Sequence, residues 1–360
     1  MKHTLLLLPL AALALASCSN DETVSLARKE GAIGFRPAMG SATRATETNN
    51  ANLTDIYVTS LMNGQQYFKD IKFSKGSDSF FASAEDYRWP GDTTVLDFYA
   101  YAPSMDELGA DITIDKDTKE LTSFTVAENI ADQVDFITAH ATGTRDKNEV
   151  AGVPLTFDHR LAQVEVRAKS DSKVYTYKVA GVRIGRPQTT GTFDFTTNEW
   201  TLDDWHDTAV FTSNIDEVTL TSDAQSIMGT AGNGMFIPQT LTPWSPTNDP
   251  DNVAREAYLS VLINISTADG VQMYPYPSDK RKNADGTPIK YAWASIPLSG
   301  TWEQGKHYIY TLDFTRGAGT VDPDDPTPGK PVLGDPIKFT VQVNDWVDAD
   351  NTIDMSHVNL

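Results

Sequence analysis

The chain has 360 residues, with 29 Lys plus Arg against 49 Asp plus Glu, a single Cys, 23 Gly and 19 Pro. That length suffices for two ordinary domains, each burying its own core. A formal charge of -20 excludes nucleic acid and anionic lipid surfaces as electrostatic partners, since both repel a net-negative protein.

Residues 1–17 read as an export signal rather than as part of the fold. Lys2 and His3 precede an apolar run from Leu5 to Ala16, too short for a spanning helix and shaped like a cleaved h-region. The run ends Leu15-Ala16-Ser17-Cys18. This resembles a bacterial lipobox, in which Cys18 becomes the acylated first residue; a plain secretory signal with an incidental cysteine is the alternative. Because Cys18 is the only cysteine, an intrachain disulfide and a cysteine metal cluster are both excluded. The following Ser19-Asn20-Asp21-Glu22 looks like the acidic tetrad that directs lipoproteins of Bacteroidetes to the outer surface, or is simply a polar tether.

Residues 18–52 form a polar leader interrupted by one apolar island in which Ile33, Phe35, Pro37 and Met39 fall at every second position, the period of a strand. Pro37 lacks an amide donor, which predicts an edge strand. From Leu53 onward short strand-like runs recur between turn residues: Asp55 to Leu61, Tyr67 to Phe73, Thr94 to Tyr101, Leu121 to Val126 and Val134 to Thr138. A second series opens with Val153 to Val166. It continues through Lys173 to Ile184, Gly191 to Phe195, Ala257 to Ile265, Ala292 to Leu298 and Tyr308 to Phe314. The only helix candidates are short, Ser104 to Leu108 and Ser222 to Met228. The pattern predicts an all-β protein with short helical insertions, made of two tandem antiparallel β-sandwich domains over 53–150 and 151–360.

The segment Val321 to Pro331 is too rich in Pro and Asp to pair in a sheet and is expected to be an extended linker or long loop. After it Ile337, Phe339, Val341 and Val343 alternate with polar residues, and Trp346 closes the run. This is the most regular strand pattern in the chain.

Several segments, in this order, resemble the fimbrillin family of Bacteroidales, the lipoprotein subunits of type V pili. They are the lipobox at Cys18, Thr43-Arg44-Ala45-Thr46, Trp89-Pro90 with Leu96 to Pro103, Leu155-Thr156-Phe157-Asp158-His159-Arg160-Leu161-Ala162, Trp302 to Tyr310, and Val343-Asn344-Asp345-Trp346. The resemblance implies transthyretin-like sandwiches and assembly by strand exchange. In such subunits an Arg-specific protease removes the first strand, and a neighbouring subunit's strand fills the groove. Carried onto this chain, Ile33, Phe35 and Met39 mark the removable strand and Ile337, Phe339, Val341, Val343 and Trp346 the donor strand, 337–346. Cleavage falls between Arg44 and Ala45, in a small, polar stretch of the kind a protease needs. The implied partners are other fimbrial subunits, the protease, the outer membrane through the lipid until cleavage, and a host or bacterial adhesion target. An ordinary terminal strand of its own domain remains the competing reading of 337–346, and an uncleaved Arg44 would leave a lipid-held anchor.

Enzymatic readings find little support. His3, His140, His159, His206, His307 and His357 show no two-histidine metal spacing, and neither a nucleophile elbow nor a phosphate-binding glycine loop is present. No cofactor or metal is expected. His159 reads as a packing or sheet-edge residue. Asp115, Asp117 and Glu120, or Asp348, Asp350 and Asp354, would be calcium ligands or solvated turns. Trp200, Trp205, Trp244 and Trp293 would form either a glycan platform or core packing. Asp92-Thr93-Thr94 and Asp207-Thr208-Ala209 match a weak O-glycosylation pattern. The reading that follows is a fimbrial subunit at the cell surface; the alternative is a monomeric outer-membrane lipoprotein that binds glycan or a host protein.

Overall fold

The computed structural model describes residues 30–39, 48–49, 52–77, 79–203, 208–245 and 256–346. The expected signal 1–17, Cys18, Arg44, Ala45, Trp205, Asp207 and the acidic group Asp348, Asp350 and Asp354 lie outside the described residues.

The first half contributes nine strands. They are β1 (Phe35–Met39), β2 (Asp55–Met62), β3 (Gln65–Lys75), β4 (Phe81–Ala82), β5 (Leu96–Ala102), β6 (Asp111–Ile114), β7 (Lys119–Thr125), β8 (Ile137–Gly143) and β9 (Val153–His159). Two one-turn helices interrupt them, α1 (Met105–Leu108) and α2 (Arg145–Asn148). The expected helix at Ser104 is present because its local chemistry is complete. Ser104 accepts from the Glu107 amide, Glu107 answers to the Ser104 amide, and Gly109 takes the left-handed C-terminal position at φ 60°. The β2–β3 hairpin turns at Asn63-Gly64, both at positive φ, the pairing a two-residue type I′ turn requires.

Seven of these strands close into a ring in the order β1-β4-β3-β2-β5-β8-β9. Every junction is antiparallel except β1 on β9. Inside lies an apolar cluster that includes Phe35, Phe73, Phe98, Phe157, Ile56 and Val58.

The second half contributes fifteen more strands. β10 (Ala162–Lys169), β11 (Tyr175–Gln188), β12 (Thr190–Asp194), β13 (Glu199–Leu202), β14 (Thr208–Thr219), β15 (Gln225–Ser226), β16 (Gly234–Phe236) and β17 (Gln239–Leu241) come first. β18 (Tyr258–Thr267), β19 (Gln272–Tyr274), β20 (Ala292–Pro297), β21 (Gly300–Trp302), β22 (Lys306–Asp313), β23 (Thr320–Val321) and β24 (Lys338–Asp345) follow. One sheet runs β14-β11-β18-β20-β23 and another β15-β10-β22-β24. Their inner faces share a core: Val164, Val166, Tyr308, Tyr310 and Leu312 from the second meet Val179, Val182, Ile184, Val261 and Ile263 from the first. The all-β class with short helices is thus what the alternation predicts.

Three features differ from the expected plan. β9 belongs to the ring, so the chain crosses to the second set of sheets at Arg160 and Leu161 rather than near residue 150. The halves are also not separate in sheet structure, because β7 pairs with β12 in a four-stranded sheet ordered β13-β12-β7-β6. Phe124, Phe136, Phe193 and Trp200 pack around that junction with ring centroids 5.3 to 6.4 Å apart. Finally, the helix expected over Ser222 to Met228 is absent: Gln225 and Ser226 pair with Ala168 and Arg167 of β10. A run that short cannot offset helix nucleation, and an adjacent strand offers its backbone ready partners.

Val321, expected to lie outside any sheet, ends β23 and pairs with Ala294, and the Pro and Asp-rich residues after it form a long loop tied firmly to the body. Val321 donates to the Lys330 carbonyl at 2.8 Å, Val332 to Gly319 at 2.9 Å and Ala318 to Leu333 at 3.0 Å. Asp322, 2% exposed, accepts from Ser260 Oγ at 2.6 Å and faces Arg183 at 3.3 Å. Asp324 pairs with Arg186 at 2.6 Å and Asp325 with Arg281. The Asp residues that argue against a strand here act as anchors.

Candidate functional site

β1 is held in the ring mainly by its buried row. Ile33 and Phe35 are fully buried, while Pro37 and Met39 are partly covered. The Phe35 ring meets Phe73 edge-on at 4.8 Å and Phe98 at 5.1 Å. Gly34 is needed here because a Cβ would lie 2.0 Å from the Phe80 ring.

The strand is nevertheless joined unevenly to its neighbours. Five register pairs, Phe35↔Val153 to Met39↔Phe157, join it to β9, but only Phe35↔Phe81 joins it to β4. From Arg36 onward β1 therefore pairs with a single named strand, and Pro37 sits where a missing amide donor costs least. Taking β1 out would open the ring between β4 and β9 and bare Phe73 and Phe98.

β24 pairs along its full length with β22, from Lys306↔Asp345 to Asp313↔Lys338. Among the described strands β22 is its sole neighbour, so β24 forms the edge of its sheet. Phe339, Val341 and Val343 stand opposite Leu312, Tyr310 and Tyr308 and therefore share their core-directed face. They are poorly covered there: Phe339 is 36% exposed, Val343 37%, and Val341 half-buried. The ends differ from the middle. Ile337 is 6% exposed and Trp346 1%, so the strand is held at its extremities.

Trp346 stacks flat on His159, with centroids 4.0 Å apart and planes 6° apart. His159 is buried, as a packing residue should be, yet it also bonds a charge the sequence reading overlooked. Its Nδ1 lies 3.0 Å and 2.9 Å from the two carboxylate oxygens of Asp135. The signal available was a lone carboxylate inside the apolar run Val134-Asp135-Phe136-Ile137, since a buried acid requires a partner.

His307 lies next to β24 on β22. Burial, the larger cause, pushes it down to about 4 from 6.5; Glu165, at 3.5 Å, pulls the other way and Arg167 assists the depression. The unfolded chain takes up a proton below its value of 6.5 that the folded chain refuses. The resulting stabilisation is complete above pH 6.5 and is lost as pH falls toward 4, an effect of about 3 kcal/mol. Urea unfolding at pH 7 and pH 4 should show His307→Gln flattening this dependence; the same slope in variant and parent would refute the assignment.

The remaining sequence candidates are dispersed. Trp200 donates Nε1 to the Arg160 carbonyl at 2.6 Å, Trp244 is buried near Tyr258, and Trp293 lies beneath Arg183 at 4.1 Å. Each serves a packing contact of its own. Asp115 accepts from the amides of Asp117 and Thr118 and so shapes the β6–β7 turn. Asp92 faces Arg145 at 3.2 Å.

No curated protein matches the chain. Among solved structures, a proposed cell adhesion protein of Bacteroides ovatus aligns with a TM-score of 0.50 at 16% identity, covering 90% of this chain and 100% of that one. One from Bacteroides uniformis aligns at 0.48 and 15% identity, covering 88% and 99%. The tip fimbrial protein Mfa3 of Porphyromonas gingivalis with C-terminal truncation aligns at 0.38 and 11%, covering 87% and 98%. A family model described as fimbrillin-like matches residues 43–346, which take in almost all of the strands described above. The chain belongs to the fimbrillin-like family.

Proposed function

We infer that this chain is a subunit of a cell-surface fimbria that joins its siblings by strand exchange. It is exported as a lipoprotein through Cys18, trimmed between Arg44 and Ala45 by an Arg-specific protease, and loses β1. The groove left between β4 and β9 receives β24 of a neighbouring subunit. Its role is mechanical, and no catalysis enters it.

Membership of the fimbrillin-like family supports the fimbrial setting. The observation that carries the exchange is the mismatch between the two strands. β1 seats Phe35 completely and covers Pro37 and Met39 in part, while β24 leaves Phe339 and Val343 more than one-third exposed and Val341 half-buried. A strand added to an open edge gains main-chain hydrogen bonds and a dry seat for alternate side chains. Full burial is worth about 1.5 to 3 kcal/mol for each such side chain, and on its own body β24 realises only part of that. Among the described strands its outer edge is unpaired, the kind of backbone that invites another chain.

The experiment is to treat folded full-length protein with trypsin and run it on an unheated denaturing gel. A ladder that appears only after trimming is the expected result. An intact monomer that never forms a ladder, above all one that binds a polysaccharide, would favour the monomeric surface lipoprotein instead.

A further inference from the structure

The geometry points to a latch, Asp135–His159–Trp346, that couples Thr48, four residues after Arg44, to the docked position of β24. Three contacts build it. The backbone N–H of Thr48 donates to Asp135 Oδ2 at 3.0 Å. His159 Nδ1 approaches the same carboxylate at 2.9 to 3.0 Å. The His159 ring lies flat on the Trp346 indole, whose own amide donates to the Gly305 carbonyl at 2.8 Å.

The side chains of Asp135 and His159 are each only 2% exposed. A carboxylate so far from water depends on every donor aimed at it, and losing one shifts the burden to the others. Thr48 stands a few residues after the expected cut. Any event that frees this segment therefore removes a donor from Asp135 and disturbs the imidazole on which Trp346 rests. The indole is the principal hold on the far end of β24, because Phe339 and Val343 along the strand are more than one-third exposed. Trp346 is a positioning residue here, and β24, docked or undocked, is the two-state element that the leader segment biases. The coupling runs both ways: a docked indole also orders Thr48.

The biological use of this latch rests on the strand-exchange reading, but its existence does not. Hydrogen exchange on the full-length monomer reports it without any filament. Thr48→Pro removes the amide donor at a surface segment, and Trp346→Ala removes the stack. The β24 amides, Phe339 to Asp345, should exchange at least about a hundredfold faster in Trp346→Ala, the scale of emptying a buried tryptophan site. They should exchange roughly threefold or more faster in Thr48→Pro, in keeping with one lost hydrogen bond. Amides of the β10–β22 ladder should keep their protection in both. Trp346→Phe should recover part of the loss, and it replaces Trp346→Ala if that variant loses protection throughout. Unchanged β24 exchange in Thr48→Pro overturns the coupling, and unchanged exchange in the Trp346 variants overturns the latch itself. A monomer that shows both effects yet never forms a ladder after trimming would retain the latch and discard strand exchange.

Discussion

Phe35→Ala should lower the unfolding free energy of the full-length chain by about 3 to 5 kcal/mol, the range for emptying a buried aromatic site. The ring of Phe35 is completely buried between Phe73 and Phe98. Those two belong to β3 and β5, on different stretches of the ring, so the surroundings cannot easily collapse into the vacancy. Urea denaturation checks the figure. A loss below about 1 kcal/mol, the level of an ordinary surface change, would mean that β1 is a dispensable covering and not a seated strand. On the proposed strand-exchange function, a loss of this size would mean that removing β1 leaves a groove with a strong demand for a replacement strand.

The second large effect concerns Val341→Asp. On its own body Val341 is half-buried at a sheet edge, packed against the core opposite Tyr310, so an aspartate there should cost the monomer about 1 to 2 kcal/mol and leave it folded. Inside a neighbour's groove the same carboxylate would be buried without a partner at a cost of several kcal/mol. Trimmed Val341→Asp should therefore give no ladder on the unheated gel while the monomer still unfolds cooperatively in urea. A ladder indistinguishable from the parent's would show that β24 is not the donated strand.

Strand character was legible because alternation is a local signal. β1 and β24 read directly from residues at every second position and α1 as the short candidate Ser104 to Leu108, whereas Val153 to Val166 reads as one run that the structure divides into β9 and β10. The passage between the halves was harder to see, although a clue was present. Apolar residues fall on odd numbers in β9, at Val153, Leu155 and Phe157, and on even numbers in β10, at Ala162, Val164 and Val166. That change of phase at Arg160 and Leu161 marks a new strand in a new sheet. β14 escaped notice because its edge position leaves a mixed surface, with Phe211 and Ser213 buried amid Thr, Asn, Asp and Glu. Pairings between distant segments, such as β7 on β12 or Asp135 with His159, leave no trace in either segment alone. They depend on tertiary arrangement, and only a charge stranded among apolar neighbours hinted at the second.

The four-stranded sheet that draws two strands from each half has a mechanical corollary. Pulling the halves apart would require rupturing the β7–β12 ladder together with the aromatic packing of Phe124, Phe136, Phe193 and Trp200 around it. A subunit under tension would then behave as one stiff link, and in a fibre of such links stretching would fall on the joints between molecules.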